Sequence, residues 1–115
     1  MRRNFDIIRE LLLRIADERD LQIDGISQLE VLIHLEMLIE AGFVVGEVIR
    51  DNSEVDPVFG HANRLTWNGH DFLEAIENPG NWSKIKSLIR EKVGTTASQV
   101  WLSVATQIAK QALGL

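Results

Sequence analysis

A mainly α-helical fold with one small β-hairpin, of the α+β class, is predicted by three observations. Apolar residues recur at helical spacing in five stretches, capping residues stand at the boundaries of those stretches, and a β-branched run follows the second of them. The length of 115 residues, with 45% hydrophobic and 25% charged side chains, fits one globular domain over residues 1–115.

The first helix is expected over residues 4–18, where Phe5, Ile8, Leu11, Leu12 and Ile15 share a face and Asn4 stands as N-cap. Asp24-Gly25 marks a turn, and Leu21-Gln22-Ile23 before it reads as a short strand. Ser27 and Glu30 have the spacing of a capping box, which opens a second helix running to Ala41 with Gly42 just past its end. Phe43 to Ile49 reads as a strand. A polar loop from Arg50 to Gly60, containing Pro57, leads to a second short run from Asn63 to Thr66, and the two runs predict a hairpin with a long tip. Thr66 caps a third helix that extends through Glu77, carries Phe72, Leu73 and Ile76 inward, and is ended by Asn78-Pro79-Gly80. Asn81 begins a fourth helix with Trp82, Ile85, Leu88, Ile89 and Val93 on one face and Gly94 beyond it. A fifth is expected over about residues 97–113.

Helix, short strand, helix, two-stranded wing, helix is the element order of a winged-helix domain, a relative of the helix-turn-helix readers of DNA. Leu38-Ile39-Glu40-Ala41-Gly42-Phe43-Val44 looks like a recognition helix turning into its wing, and Arg64-Leu65-Thr66-Trp67-Asn68-Gly69 resembles the L-T-x-x-G step out of the wing in many bacterial regulators. On this reading residues 1–78 form a winged-helix-like core and residues 81–115 a C-terminal helical extension. The helix that usually precedes the recognition helix is shortened or missing.

A closer resemblance covers nearly the whole chain. Arg3-Asn4-Phe5-Asp6-Ile7-Ile8-Arg9, Ile33-His34-Leu35 with Glu40-Ala41-Gly42, and Leu65-Thr66-Trp67-Asn68-Gly69-His70-Asp71-Phe72-Leu73 followed by Asn81-Trp82 resemble a bacterial and prophage family, domain of unknown function family 2513. The resemblance implies small proteins, often encoded on phage or mobile elements. It brings no catalytic or ligand residues with it.

Charge argues against standard DNA docking. Residues 21–60 hold eight acids against Arg50 alone, a local charge of −7, whereas residues 81–115 carry +4 within a total of −5. Advancing 100° per residue along positions 27–41 places Val31, Leu32, Leu35, Leu38 and Ile39 inward. The opposite side carries Glu30, Ile33, His34, Met37 and Glu40. That face has no Lys, Arg, Asn or Gln to contact phosphates or bases, and the wing adds Asp51, Glu54 and Asp56. Ile33 and Met37 ringed by acids instead suit a protein partner with a basic rim, unless the fourth or fifth helix covers them. Lys84, Lys86, Arg90 and Lys92 on the fourth helix are the candidate nucleic-acid contacts. They do not form one stripe, and a solvated helix face accounts for them better than a nucleic-acid footprint does.

The last stretch bears on assembly. Val100, Trp101, Val104, Ala105, Ile108 and Ala112, with their neighbours, make more than half its circumference apolar, which suggests burial from two sides and a homodimer through this helix. Lys110 within it and the short length argue against a membrane span. The absence of cysteine and of an N-terminal signal pattern points to the cytoplasm.

No chemistry emerges from the motifs. His34 lies one turn from Glu30, a spacing that favours a helix-stabilising contact over a metal pair. His61, His70 and Glu74 would form a metal site if the wing folded back, but Asp71 and Glu74 also complement the dipole of a helix start. No phosphate-binding glycine loop is present, Ser53 and Ser83 have no paired base, and no cofactor is expected. Trp67, Trp82 and Trp101 read as core anchors rather than stacking platforms. The leading expectation is a non-enzymatic protein-interaction or regulatory module, with a transcriptional regulator using a nonstandard DNA surface as the alternative.

Overall fold

A computed structural model describes residues 3–52 and 55–92, with side chains through residue 87. The described chain holds α1 (Phe5–Ala16), α2 (Gln28–Glu40), β1 (Val44–Arg50), β2 (Pro57–Leu65), α3 (Trp67–Ile76) and α4 (Pro79–Lys92). The α+β class is therefore as expected, with four helices and one antiparallel hairpin. The expected fifth helix, with Val100, Trp101, Val104, Ala105, Ile108 and Ala112, lies outside the described residues.

Each start and stop has a local cause. The Asn4 side chain accepts from the backbone N–H groups of Asp6 and Ile7, and Ser27 Oγ accepts from Glu30 N at 3.2 Å, so two orphan helix ends are satisfied by their caps. At the end of α2, Gly42 takes φ +83° while Phe43 N donates to Leu38 O and Gly42 N to Ile39 O. This is the Schellman pattern, which requires the left-handed conformation that glycine adopts without strain. The same pair of bonds closes α1, from Arg19 to Arg14 O and from Glu18 to Ile15 O, but here Glu18 sits at φ 55°.

Three boundaries differ from expectation. Leu21-Gln22-Ile23 forms no strand; Arg14 Nη1 donates to the carbonyls of Asp20 and Gln22 and holds this stretch as a loop against α1. The second strand begins at Pro57 rather than Asn63, because Arg50 pairs with Pro57 and Ile49 with Phe59, so the polar loop is short and the hairpin long. Finally, α4 starts at Pro79. Asn78 Oδ1 accepts from Gly80 N and Asn81 N, which makes Asn78 the cap and leaves the N–H-less proline at the first helical position.

The core gathers one face of every element. Ile8, Leu11 and Leu12 of α1, Leu35 and Leu38 of α2, Phe72 and Ile76 of α3 and Ile85 of α4 are buried together, with Phe43 stacked on Phe72 at 4.9 Å between ring centres. Polar clamps on α1 then orient the other helices. Arg9 donates to the carbonyls of Ile76 and Glu77 at the end of α3, and Asp6 accepts from Trp82 Nε1 at 3.0 Å and Lys86 Nζ at 2.9 Å on α4. Arg9 and Arg14 of the first helix thus serve free backbone carbonyls.

Candidate interaction site

Along α2 the buried residues include Val31, Leu32, Leu35 and Leu38, while Ile39 is half-buried against the core. Glu30, Ile33 and Met37 are half-buried and Glu40 is exposed. His34 departs from the exposed position expected of it. It is only 1% accessible, because the chain entering α1 passes over it. Its Nε2 accepts from Asn4 N at 2.9 Å and its Nδ1 donates to Glu30 O at 2.7 Å. A backbone N–H can only donate and a carbonyl can only accept, so the partners put the ring proton on Nδ1. His34 is a tether between α1 and α2, not a contact for a partner, and it touches the Glu30 backbone rather than its carboxylate.

The hairpin lies against α2 through its inner face, where a Cβ on Gly60 would come within 2.9 Å of Leu32 Cδ2. Its outer face is set by register. Ile49 opposes Phe59 and Glu47 opposes His61, and directly opposed antiparallel residues project to the same side. All four are exposed, with Phe59 54% accessible and in tilted contact with His61. An apolar pair flanked by Glu47, with Asp51 and Asp56 exposed toward the tip, therefore faces outward.

Arg50 cannot soften this acidity. Its guanidinium is hydrogen-bonded to the Glu36 carboxylate of α2 and to the Val55 carbonyl. The only cation of residues 21–60 is thereby spent within the structure, and the remaining charged groups there are carboxylates.

Of the basic residues, Lys84 is exposed, whereas Lys86 pairs with Asp6 and lies 5.5 Å from the centre of the Trp82 ring. The side chains of Arg90 and Lys92 lie outside the described residues. Among the described residues no three His, Asp or Glu side chains come together as a metal site. His61 belongs to the outer hairpin face, and His70 and Glu74 are exposed on α3. A cleft of about 310 Å³ opens between the 20–28 loop, α2 and Gly60, lined by Leu21, Ile23, Ile26 and Leu32 among others, with Asp20 at its rim.

The tryptophans divide. Trp82 is a core anchor as expected, at 5% accessible, but Trp67 is 83% accessible. The expectation for Trp67 fails because it is the first residue of α3, and the inward turns are filled by Gly69, Phe72 and Leu73. Helical phase counted from Thr66 would have placed Trp67 beside His70 and Asp71 on the outer side.

Among the described residues no helix is long and apolar enough to cross a membrane. No solved structure matches the chain. An "Uncharacterized protein" of Haemophilus influenzae is 32% identical over 120 residues, covering 98% of this chain and 99% of that protein. Residues 2–96 match the family described as Hypothetical protein (DUF2513), and the chain belongs to that family.

Proposed function

We propose that this protein is a non-enzymatic, winged-helix-like protein-interaction or regulatory module of phage or mobile-element origin, acting through the acidic surface of α2 and the hairpin. One observation carries the reading: Arg50 is bound to Glu36, so the region that would meet DNA in a winged-helix domain offers carboxylates where phosphates need cations. Ile33 and Met37 on α2, and Ile49 and Phe59 on the hairpin, supply the apolar contacts of a partner with a basic rim. A homodimer through residues 97–113 and a cytoplasmic location belong to the same proposal.

The alternative is a transcriptional regulator that contacts DNA through Lys84, Lys86, Arg90 and Lys92, favoured by the charge of +4 over residues 81–115. DNA retention across a salt gradient separates the two. Retention that is weak at low salt and indifferent to sequence supports the interaction module, whereas specific binding with a steep salt slope supports the regulator. Partner capture with Ile33→Asp/Met37→Asp and with Phe59→Asp then tests the surface. If every partner stays bound to folded variants, the surface is wrong.

A further inference from the structure

The segment from Leu65 to Leu73 contains more chemistry than its fold uses. Leu65, Phe72 and Leu73 are core. Thr66 caps α3 through Gly69 N and donates Oγ–H to Gly42 O, and Gly69 lies where a Cβ would stand 2.1 Å from Phe43 O. Trp67, His70 and Asp71 do none of this. With Glu74 they occupy positions i, i+3, i+4 and i+7 of α3, a single stripe opposite the buried Phe72 and Ile76, and all four are exposed. No ion pair among the described residues engages Asp71 or Glu74.

An 83% accessible indole on a helix whose first turn is anchored at Thr66 and Gly69 is an aromatic platform on a fixed backbone. Tryptophan offers the strongest cation-attracting ring face, and it is enriched among residues that dominate binding energy. The carboxylate of Asp71 is one turn away, with about 5–6 Å between the two Cβ atoms. That spacing suits a planar guanidinium, which stacks on a ring while its edge pairs with a carboxylate. The same acids oppose a nucleic-acid backbone, so base stacking on Trp67 is disfavoured.

We propose that the Trp67, Asp71 and Glu74 stripe of α3 binds a protein segment that presents an arginine. Its guanidinium stacks on the Trp67 indole and pairs with Asp71, and Glu74 receives a second basic side chain one turn along. This surface is separate from Ile33 and Met37 on α2 and from the outer hairpin face, so its test does not depend on theirs.

The full chain, labelled with 15N, is titrated with acetyl-Arg-Gly-Arg-Gly-Arg-amide, with its lysine counterpart, and with a ten-residue oligothymidine. The indole N–H resonance of Trp67 is assigned as the one lost in Trp67→Phe. The arginine peptide should shift that resonance saturably. Asp71→Asn, at an exposed position and checked for an unchanged melting temperature, should weaken binding by about fivefold or more, and the lysine peptide should bind several-fold more weakly. The proposal is overturned if the Trp67 resonance stays in place or Asp71→Asn binds as tightly as the parent. It is also overturned if the peptide shifts centre on Glu47, Asp51 and Asp56, or if the oligothymidine moves Trp67 more than the arginine peptide does.

Discussion

Replacing Gly69 with alanine puts one methyl group where, of the described glycines, an added Cβ would meet backbone most closely. The new Cβ would stand 2.1 Å from Phe43 O and 3.0 Å from its carbonyl carbon, both backbone atoms that cannot rotate away. Relief requires α3 to retreat by roughly 1 Å, the sort of shift that costs about 1–3 kcal/mol in a close-packed interior. Two hydrogen bonds span the same junction, Thr66 N to Phe43 O and Thr66 Oγ–H to Gly42 O, and a third, Gly69 N to Thr66 Oγ, caps α3 beside it. Weakening them adds about 0.5–1.5 kcal/mol each, and alanine's better helix propensity returns about 1 kcal/mol. The net expectation is a loss of about 3 kcal/mol, or roughly 10–25 °C in Tm for a domain of this size. Gly80→Ala is the control, since its Cβ would meet only the Asn78 side chain, at 3.2 Å. It should change stability by less than about 1 kcal/mol, in either direction. Urea and thermal unfolding of both variants decide the matter, and a Gly69→Ala protein as stable as the parent refutes the argument.

Three further substitutions test other contacts. Glu18→Gly should stabilise by about 0.5–1 kcal/mol, because relief of the left-handed conformation at φ 55° exceeds glycine's entropic cost, whereas Gly42→Ala at φ +83° should destabilise by about 1 kcal/mol. Equal effects of the two in thermal melts would contradict the Schellman assignment. For His34, ring 15N spectra should place the proton on Nδ1, and His34→Leu should cost about 1 kcal/mol in urea unfolding, since the Asn4 N–H loses its acceptor near the surface, where water replaces it in part. A proton on Nε2 would contradict the tether.

Local chemistry was legible in the sequence and long-range chemistry was not. Asn4, Ser27, Thr66 and Gly42 act within four residues of themselves, so their capping roles follow from spacing alone. The burial of His34 is not legible in the sequence, because the group that covers it, the Asn4 backbone, lies 30 residues away. The start of β2 is hidden for a related reason. Pro57 suggests a loop, yet at the end of a two-stranded ladder its missing N–H costs nothing, and Val58 and Phe59 continue the strand. Of the candidate site, the acidity of residues 21–60 was plain from counting. That Arg50 is withdrawn from it by Glu36, and that Trp67 projects outward, required the register of the hairpin and the phase of α3.

The bonds that gather at the start of α1 carry a consequence for biosynthesis. Asn4 reaches His34, Arg9 reaches Ile76 and Glu77, and Asp6 reaches Trp82 and Lys86, separations of 30 to 80 residues. Helix α1 therefore gains the last of these partners only once α4 has been made. At about 5–20 residues per second, roughly 4–16 s pass between the synthesis of Asp6 and that of Lys86. Throughout that interval the apolar face of α1 has no finished binding site. A chain arrested before residue 76 exposes Ile8, Leu11 and Leu12 to chaperones and proteases, so truncated translation products of this protein should be short-lived while the completed chain persists.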